Sequence, residues 1–216
     1  IKFIPKILND ISWKKSMKWS NYDLNWGRPL KSILAIFGGK LLKFNYSHLS
    51  SVDYTLIEEH DSIKQKKIKD FSEYQKFLRA NSIILDHGER QEYISQRIQS
   101  ISRSKSFMEF IDPLLLSEVT NLVDKPKLII GKFDKNYLKL PKEIIKSTLQ
   151  SHQRYFTLTD EKGRISNEFV IVTNNKDDKK LIKIGNERVV EARLSDANFF
   201  WERDRSLNLI KQINKL

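Results

Sequence analysis

The segment 183–205 carries the clearest periodic pattern in this 216-residue chain. Its apolar residues recur at helical spacing, and charged residues occupy the positions between them. The stripe consists of Val190, Leu194, Ala197 and Trp201. Arg188 with Glu191, and Arg193 with Asp196, have the i, i+3 spacing of weak ion pairs on one helix. The pattern therefore predicts a long helix that docks by one apolar stripe and leaves a charged face exposed.

Short apolar runs that suit strands alternate with helical patterns along the rest of the chain. Gly38-Gly39 separates two such runs and can supply the positive φ of a tight hairpin turn. A second hairpin is predicted between 154–159 and 169–173. Further helices are predicted at 70–80, 89–102, 112–122 and 141–149, and further strands at 46–57, 82–85 and 127–133. Because hairpins and helices are interspersed, the sequence predicts an α+β fold with mixed or antiparallel sheets and packed helices.

Several local features bear on the organisation of the chain. Residues 102–106, Ser-Arg-Ser-Lys-Ser, have the composition of a flexible connection. We therefore expect a basic part at 1–101, with a hairpin and helices, and a second α+β part at 107–216 that ends in the long charged helix. The lysines at 64–69 indicate a solvated loop, and Gly185 is expected to kink or break the last helix. The chain starts without methionine and stops within a helical pattern, so it looks like a piece of a longer protein.

The charge balance favours a polyanionic partner. The chain has 39 Lys+Arg against 27 Asp+Glu, a net charge of +12, and nucleic acid is the commonest soluble polyanion. A lysine-rich composition without any functional target is the alternative. No apolar run approaches the roughly 18–20 residues of a membrane span. With no cysteine in the chain, a reducing compartment is compatible, and we expect a cytoplasmic protein without a membrane partner.

Residues 1–31 combine positive charge with aromatic rings. Seven Lys/Arg stand against two Asp, and three Trp and one Tyr are interleaved with them. Such a mixture suits a surface that grips phosphates and stacks bases. Alternatively the indoles anchor the core and the lysines are merely solvated, which we favour for the tryptophans. A second basic surplus lies at 125–146. The residues selected as nucleic-acid-binding candidates are Lys14, Lys15, Lys18, Arg28, Arg188 and Arg193.

Few groups in the chain suit catalysis or metal binding. The four histidines lack the spacing of metal ligands. Glu58-Glu-His-Asp61 combines three carboxylates with an imidazole, but adjacent side chains point in different directions, so a metal there is a minor alternative. His152, between a predicted helix and a predicted strand, is better explained as a structural histidine than as a site residue. We therefore predict no catalytic and no metal-binding residue, and prefer a binding module to an independent enzyme.

Five sequence blocks between 147 and 205 occur in an order and spacing that are typical of one family. They are Ser151-His-Gln-Arg-Tyr-Phe156, Phe169-Val-Ile-Val-Thr-Asn174, Gly185-Asn-Glu-Arg-Val-Val190, Ala192-Arg-Leu-Ser-Asp-Ala197 and Phe199-Phe-Trp-Glu-Arg-Asp204. Upstream, Met17-Lys-Trp19, Trp26-Gly-Arg-Pro-Leu30 and 116–126 extend the likeness. The chain resembles an interior part of the N-terminal body of the β subunit of the bacterial two-subunit glycyl-tRNA synthetase. It departs from the family at Lys31, where a histidine is usual, and by lacking a G-H-R-F block near 54–61.

The resemblance implies a division of labour between subunits. Glycine activation with ATP and Mg²⁺ would belong to a separate α subunit, so no cofactor is expected in this chain. The β subunit would bind tRNA(Gly) and join an α2β2 assembly with a second β subunit. This part of it would include a region similar to the B3/B4 domain of the phenylalanyl enzyme's β subunit. The chain would thus support a glycine–tRNA ligase without a catalytic site of its own; a purely structural scaffold and a hydrolytic editing region are the alternatives.

Overall fold

The computed structural model describes residues 3–59, 62–108 and 111–206. Contacts divide the chain into two compact units, Ile1–Asn81 and Ser82–Leu216, so the division falls before the connection expected at 102–106. The expectation that residues 102–106 form a flexible connection is wrong. Ser102 is fully buried within a helix that runs over His87–Ser104. Its carbonyl oxygen accepts two backbone hydrogen bonds from the residues that follow, which fixes the helix end.

The first unit is built from short strands and two helices. Its elements are α1 (Phe3–Asn9), β1 (Met17–Lys18), β2 (Asn25–Trp26), β3 (Ile33–Leu34), β4 (Ile36–Phe37), β5 (Lys40–Leu41), β6 (Asn45–Tyr46), β7 (Leu49–Val52), β8 (Tyr54–Glu59), β9 (Ser62–Lys67) and α2 (Phe71–Ala80). β1 pairs with β2, β4 with β5 and β8 with β9, all antiparallel. β7 lies between antiparallel β6 and parallel β3. The buried apolar side chains of this unit include Tyr46, Ile57, Ile68 and Leu78.

Local chemistry explains the elements of this unit that the sequence predicted. Gly38 and Gly39 have φ of +56° and +73° and join β4 to β5, which confirms the hairpin and its need for glycine. Asp70 precedes α2, and its carboxylate accepts a hydrogen bond from Glu73 N at 2.8 Å. This side-chain cap satisfies one of the backbone donors that a helix start leaves unpaired.

The prediction of a solvated loop at 64–69 is wrong, because most of this lysine-rich segment forms strand β9. Lys66 Nζ lies 3.3 Å from a carboxylate oxygen of Glu73, and Lys67 Nζ lies 2.9 Å from one of Asp53. These carboxylates offset the mutual repulsion of the lysines. Lysines on an edge strand also discourage further strand pairing. His60 and Asp61, which belong to the possible metal cluster at 58–61, lie outside the described residues.

The second unit has helices on both sides of one antiparallel sheet. Its elements are α3 (His87–Ser104), α4 (Pro113–Leu122), β10 (Lys127–Lys132), a 3₁₀ turn (Lys135–Lys139), α5 (Lys142–Lys146), a π-helical stretch (Ser147–His152), β11 (Phe156–Thr159), β12 (Ile165–Thr173) and α6 (Leu181–Ser206). The strand order is β10–β12–β11. Residues 82–85 are irregular, so the strand predicted there is wrong: Leu85 is exposed, and Ile84 N donates to Asp124 O at 2.9 Å.

Alternate residues of β12 enter two separate hydrophobic clusters, as the pleat of a strand requires. Val170 belongs to the cluster formed with α3 and α4, which includes Ile94 and Val119. Phe169 and Ile171 belong to the cluster on the other face, which includes residues of α5 and α6. The sheet is therefore buried on both sides, and with the mixed sheets of the first unit this confirms the predicted α+β fold.

Helix α6 confirms the predicted apolar stripe. Val190 and Leu194 are fully buried, and Trp201 packs against the same cluster. The helix continues through Gly185, so the predicted break there is wrong. The carboxylate of Asp177 accepts two backbone hydrogen bonds from the first turn, both at 2.8 Å, and so holds the start of the helix. Within the part of the chain that the structure describes, no helix has the length and apolar character to cross a membrane.

Candidate nucleic-acid interface

Two hairpins of the first unit meet through pairs of aromatic rings. Trp26 on β2 contacts Tyr46 on β6, with ring centroids 5.9 Å apart and the rings edge to face. Tyr22, in the β1–β2 loop, stacks on His48, in the β6–β7 turn, with centroids 3.5 Å apart and planes within 5°. Each hairpin alone has only two residue pairs between its strands, so these ring contacts hold the two hairpins together.

Trp13 extends this group of rings. Its indole lies 5.0 Å from that of Trp26 and covers the backbone of Gly27. A Cβ at position 27 would come within 2.7 Å of the indole, so the close approach needs glycine. Trp13 and Trp19 are each 40% exposed, so the expectation that the tryptophans are core anchors is wrong for these two.

Four of the predicted binding residues lie in the same segment, 13–28. Lys14, Lys15, Lys18 and Arg28 are all exposed. Lys18 donates to Asp23 at 2.7 Å, and this hydrogen bond and the lysine charge hold the pKa of Asp23 below its usual value. Both partners are well exposed, so the pair is screened by water. In the described ranges no carboxylate lies within ion-pair distance of the other three cations. We use the name N-terminal ledge for these residues of the segment 13–28 together with His48, which stacks on one of them: Trp13, Lys14, Lys15, Lys18, Trp19, Tyr22, Trp26, Arg28 and His48.

The other two candidates, Arg188 and Arg193, lie on α6 in the second unit. Both are exposed, beside the buried Val190 and Leu194. The predicted ion pairs of Arg188 and Arg193 along the helix do not form among the residues that the structure covers. The two arginines are about 140° apart around the helix axis, because each residue advances about 100°. They therefore cannot form one compact phosphate site.

The exposed face of α6 also carries large apolar side chains. Phe199 and Phe200 are 62% and 55% exposed, and their rings meet edge to face at 5.5 Å. Val189 and Ile184 are exposed in the same helix. Neighbouring apolar side chains with this exposure are typical of a surface that meets another protein.

The histidines and carboxylates of the described ranges bear on the metal and histidine expectations. Within those ranges no three His, Asp or Glu side chains are grouped as a metal site would need. His152 ends the π-helical stretch, and its side chain is exposed rather than held in the core. Sequence reasoning missed His48 because it treated 46–57 as one strand. The turn at Ser47, with φ +52°, and the stacking on Tyr22 depend on contacts between distant segments.

The family-like sequence blocks of the second unit meet one another. Tyr155 OH donates a hydrogen bond to Asn186 Oδ1, which joins the start of the β11 hairpin to α6. Burial raises the pKa of Tyr155, so the hydroxyl keeps its proton for this bond. Glu187 accepts a hydrogen bond from Lys132 N at 2.8 Å, at the end of β10. The blocks Ser151–Phe156 and Gly185–Val190 are thus parts of one packing arrangement between sheet and helix.

Comparison with known proteins identifies the family. The sequence model of the glycyl-tRNA synthetase beta subunit family matches residues 1–216. The chain belongs to this family. It is 34% identical over 216 residues to the glycine–tRNA ligase beta subunit of Rickettsia akari (strain Hartford), covering 100% of this chain and 33% of that protein. It is 36% identical over 220 residues to the beta subunit of Rickettsia prowazekii (strain Madrid E), with the same coverages. The subunit of Geotalea daltonii (strain DSM 22248 / JCM 15807 / FRC-32) is 32% identical over 216 residues, covering 100% of this chain and 31% of that protein.

Membership in the glycyl-tRNA synthetase beta subunit family confirms the resemblance drawn from the sequence blocks. The chain spans about a third of the length of these curated relatives. Lys31 and the segment 54–61, at which the sequence predicted departures from the family pattern, contact each other in the first unit. Lys31 Nζ donates to Glu58 Oε2 at 2.6 Å, and both side chains are 56% exposed. Lys31 therefore pairs with a carboxylate of the segment 54–61.

Proposed function

We propose that this chain is an RNA-binding and assembly region of a glycyl-tRNA synthetase beta subunit. In this role it supports ATP-dependent attachment of glycine to tRNA(Gly), which a separate α subunit catalyses with ATP and Mg²⁺. The N-terminal ledge is the observation that carries the RNA-binding part. Membership in the family supports the proposal that the chain is part of a glycyl-tRNA synthetase. The relatives are named glycine–tRNA ligase beta subunit, which supports the proposed reaction.

The chemistry of the N-terminal ledge suits RNA better than it suits a neutral partner. Lys14, Lys15 and Arg28 are exposed cations without a carboxylate partner among the described residues, so they are available to phosphates. Cations that contact phosphates release counterions, which makes the affinity salt-dependent and largely independent of sequence. The exposed rings of Trp19 and Tyr22, each 40% exposed, add flat surfaces on which bases stack. The net charge of +12 strengthens the attraction at long range.

A second candidate function rests on a different surface. The exposed Phe199 and Phe200 on α6, the helix that also carries Arg188 and Arg193, suit contact with a protein that offers apolar groups and carboxylates. In this case the chain serves mainly as a scaffold that joins the α subunit or other parts of the beta subunit, with little RNA contact. The two functions use different units and can be tested separately.

The test is a salt titration of tRNA(Gly) binding to the chain, with and without purified α subunit. One variant replaces Lys14, Lys15, Lys18 and Arg28 with alanine. A matched control replaces three other exposed lysines and one other exposed arginine, and so changes the net charge equally. The control positions are Lys76, Arg97, Lys176 and Lys179.

The proposal predicts a specific loss in the ledge variant. A plot of log affinity against log salt concentration should become shallower by up to about 3, because each phosphate contact contributes roughly 0.7–0.9. The control should keep most of the wild-type affinity and slope. Equal behaviour of the two variants would reject the RNA-binding role. If the change Phe199→Ser with Phe200→Ser then abolished association with the α subunit, the scaffold function would stand instead.

A further inference from the structure

The rings of Tyr22 and His48 form a close, parallel stack between two hairpin turns. The rings are 3.5 Å apart at their centroids and parallel within 5°. Tyr22 keeps 40% of its surface exposed. The two hairpin turns thus meet in an aromatic stack, of which Tyr22 is partly open to solvent.

The hairpins hold this stack in place. Tyr46, next to the turn that carries His48, is 5% exposed and contacts Trp26 on the partner hairpin. Tyr22 N donates to Trp19 O at 3.3 Å, which closes the turn on the other side. Because the rings are already ordered, a ligand that stacks on them does not have to immobilise them first.

The β6–β7 hairpin, which carries His48, also carries exposed polar groups. Ser50 Oγ donates to Asn45 Oδ1 at 2.9 Å, and both residues are exposed. The amide Nδ2 of Asn45 is therefore a donor for an acceptor on a ligand. On the other hairpin, Lys18 is directly adjacent to Trp19. A flat ligand that carries both hydrogen-bonding edges and a negative charge fits this combination.

We propose that the Tyr22–His48 pair stacks on an unpaired base of RNA, so that the N-terminal ledge selects single-stranded over duplex RNA. This inference rests on the proposed RNA-binding function and states which part of the RNA the ledge meets. A base inside a duplex has both faces covered by its neighbours, whereas an unpaired base can add a third ring to the stack. The cations of the ledge hold the adjoining phosphates without regard to sequence.

The experiment measures binding of a fluorescein-labelled oligouridine and of a blunt-ended RNA duplex of equal length by anisotropy. The wild-type chain should bind the single strand more tightly. Tyr22→Ala should weaken single-strand binding by about tenfold and duplex binding by less than about twofold, with an unchanged salt slope because no charge is lost. Tyr22→Phe should retain the affinity, since its ring is kept. Tyr93→Ala, at a tyrosine of α3 that is 37% exposed, is the matched control and should behave as wild type.

Three results would overturn the inference. The first is that Tyr22→Ala leaves single-strand binding unchanged. The second is that Tyr22→Ala weakens binding of the single strand and of the duplex equally. The third is that the wild-type chain binds the duplex more tightly than the single strand. If Tyr22→Ala instead impairs association with the α subunit while single-strand binding persists, the ledge is a protein-docking surface. Each of these results would leave the proposed RNA-binding function intact if the variant with alanine at Lys14, Lys15, Lys18 and Arg28 still loses tRNA binding. If the wild-type chain binds no RNA at all, both the proposed function and this inference are refuted.

A second measurement covers the case in which Tyr22→Ala does not fold. Oligouridine that contains 4-thiouridine is irradiated with the wild-type chain, and the crosslinked peptides are sequenced. Crosslinks at Trp19, Tyr22 or His48 would support the inference. Crosslinks confined to other peptides, such as those of α6, would overturn it.

Discussion

Gly131→Ala offers a direct test of how tightly the second unit is packed. Gly131 on β10 lies opposite Phe169 on β12. A Cβ built at Gly131 would come within 2.6 Å of the ring of Phe169, a distance that real Cβ atoms do not tolerate. Phe169 is fully buried, with Tyr155 stacked on it at 5.2 Å and Phe133 at 6.4 Å. Any shift of the ring would therefore press on its buried aromatic neighbours.

The size of the effect follows from two opposing contributions. Overpacking a core by one methyl group typically costs about 1–3 kcal/mol. Replacing glycine with alanine reduces the entropy of the unfolded chain, which returns about 0.4–1 kcal/mol. We expect a net loss of about 1–2 kcal/mol, which corresponds to a Tm lower by about 2–8 °C for a chain of this size. Thermal unfolding followed by far-UV circular dichroism measures it.

Gly185→Ala is the matched control, because it makes the same chemical change where space is free. Gly185 is exposed within α6, and no atom lies within 4 Å of a Cβ built there. Alanine is favoured over glycine in a helix interior by about 0.8–1.0 kcal/mol, so the Tm should rise by about 2–4 °C. An unchanged or higher Tm for Gly131→Ala would refute the packing argument around Phe169. A lower Tm for Gly185→Ala would mean that α6 is interrupted there after all.

Three further substitutions test other contacts of the second unit. Leu194→Ala removes a fully buried side chain of α6 and should cost about 2–5 kcal/mol in urea unfolding; a cost below about 1 kcal/mol would contradict the docking of the stripe. Tyr155→Phe should cost about 1 kcal/mol, because Asn186 loses its hydrogen-bond donor, and a neutral result would contradict that role. Burial alone would raise the pKa of Glu168, but hydrogen bonds from Lys105 and Lys132 outweigh it and hold the pKa below 4.5. The ion pairs of Glu168 therefore stabilise the folded protein above about pH 4.5, and this stabilisation is lost as the pH falls through the lower pKa of the folded state. Glu168→Gln lacks these ion pairs, so its stability should fall less than that of wild type on acidification.

Features that depend on neighbours in the sequence were predicted correctly. The stripe that includes Val190 and Leu194 follows from helical period alone. Asp112-Pro113 predicted a helix start, and Asp112 caps α4 by accepting a hydrogen bond from Leu114 N at 2.8 Å. Gly38-Gly39 predicted a turn because few other residues adopt positive φ twice in succession. In each case the determining interaction spans only a few residues.

Features set by distant contacts were missed. The lysines of β9 lie in a strand that pairs with β8, and Lys67 forms an ion pair with Asp53. Local composition alone reveals neither the strand pairing nor the ion pair. Gly185 stays helical because Val190 and Leu194, just beyond it, anchor the same helix to the core, and packing outweighs glycine's low propensity. For the candidate site, the sequence supplied Lys14, Lys15, Lys18 and Arg28 but not the ring of His48 that completes the ledge. That ring reaches Tyr22 only through the fold.

The family-like blocks of the second unit and the N-terminal ledge that we propose for RNA are different sets of residues, for a physical reason. Tyr155 OH donates to Asn186 Oδ1, and Asn186 Nδ2 donates to Ile182 O within α6. Glu187 accepts a hydrogen bond from Lys132 N at the end of β10. Tyr155 has then used its one hydroxyl hydrogen and Asn186 one of its two amide hydrogens, and Glu187 is an acceptor that a phosphate would repel, so few groups remain for RNA. Asn186→Ala should accordingly lower the stability of the second unit by about 1–2 kcal/mol, and where the variant is folded its tRNA affinity and salt slope should match those of wild type. A folded Asn186→Ala chain with weakened tRNA binding would place the RNA surface on α6, and would move the proposed interface from the ledge to the helix.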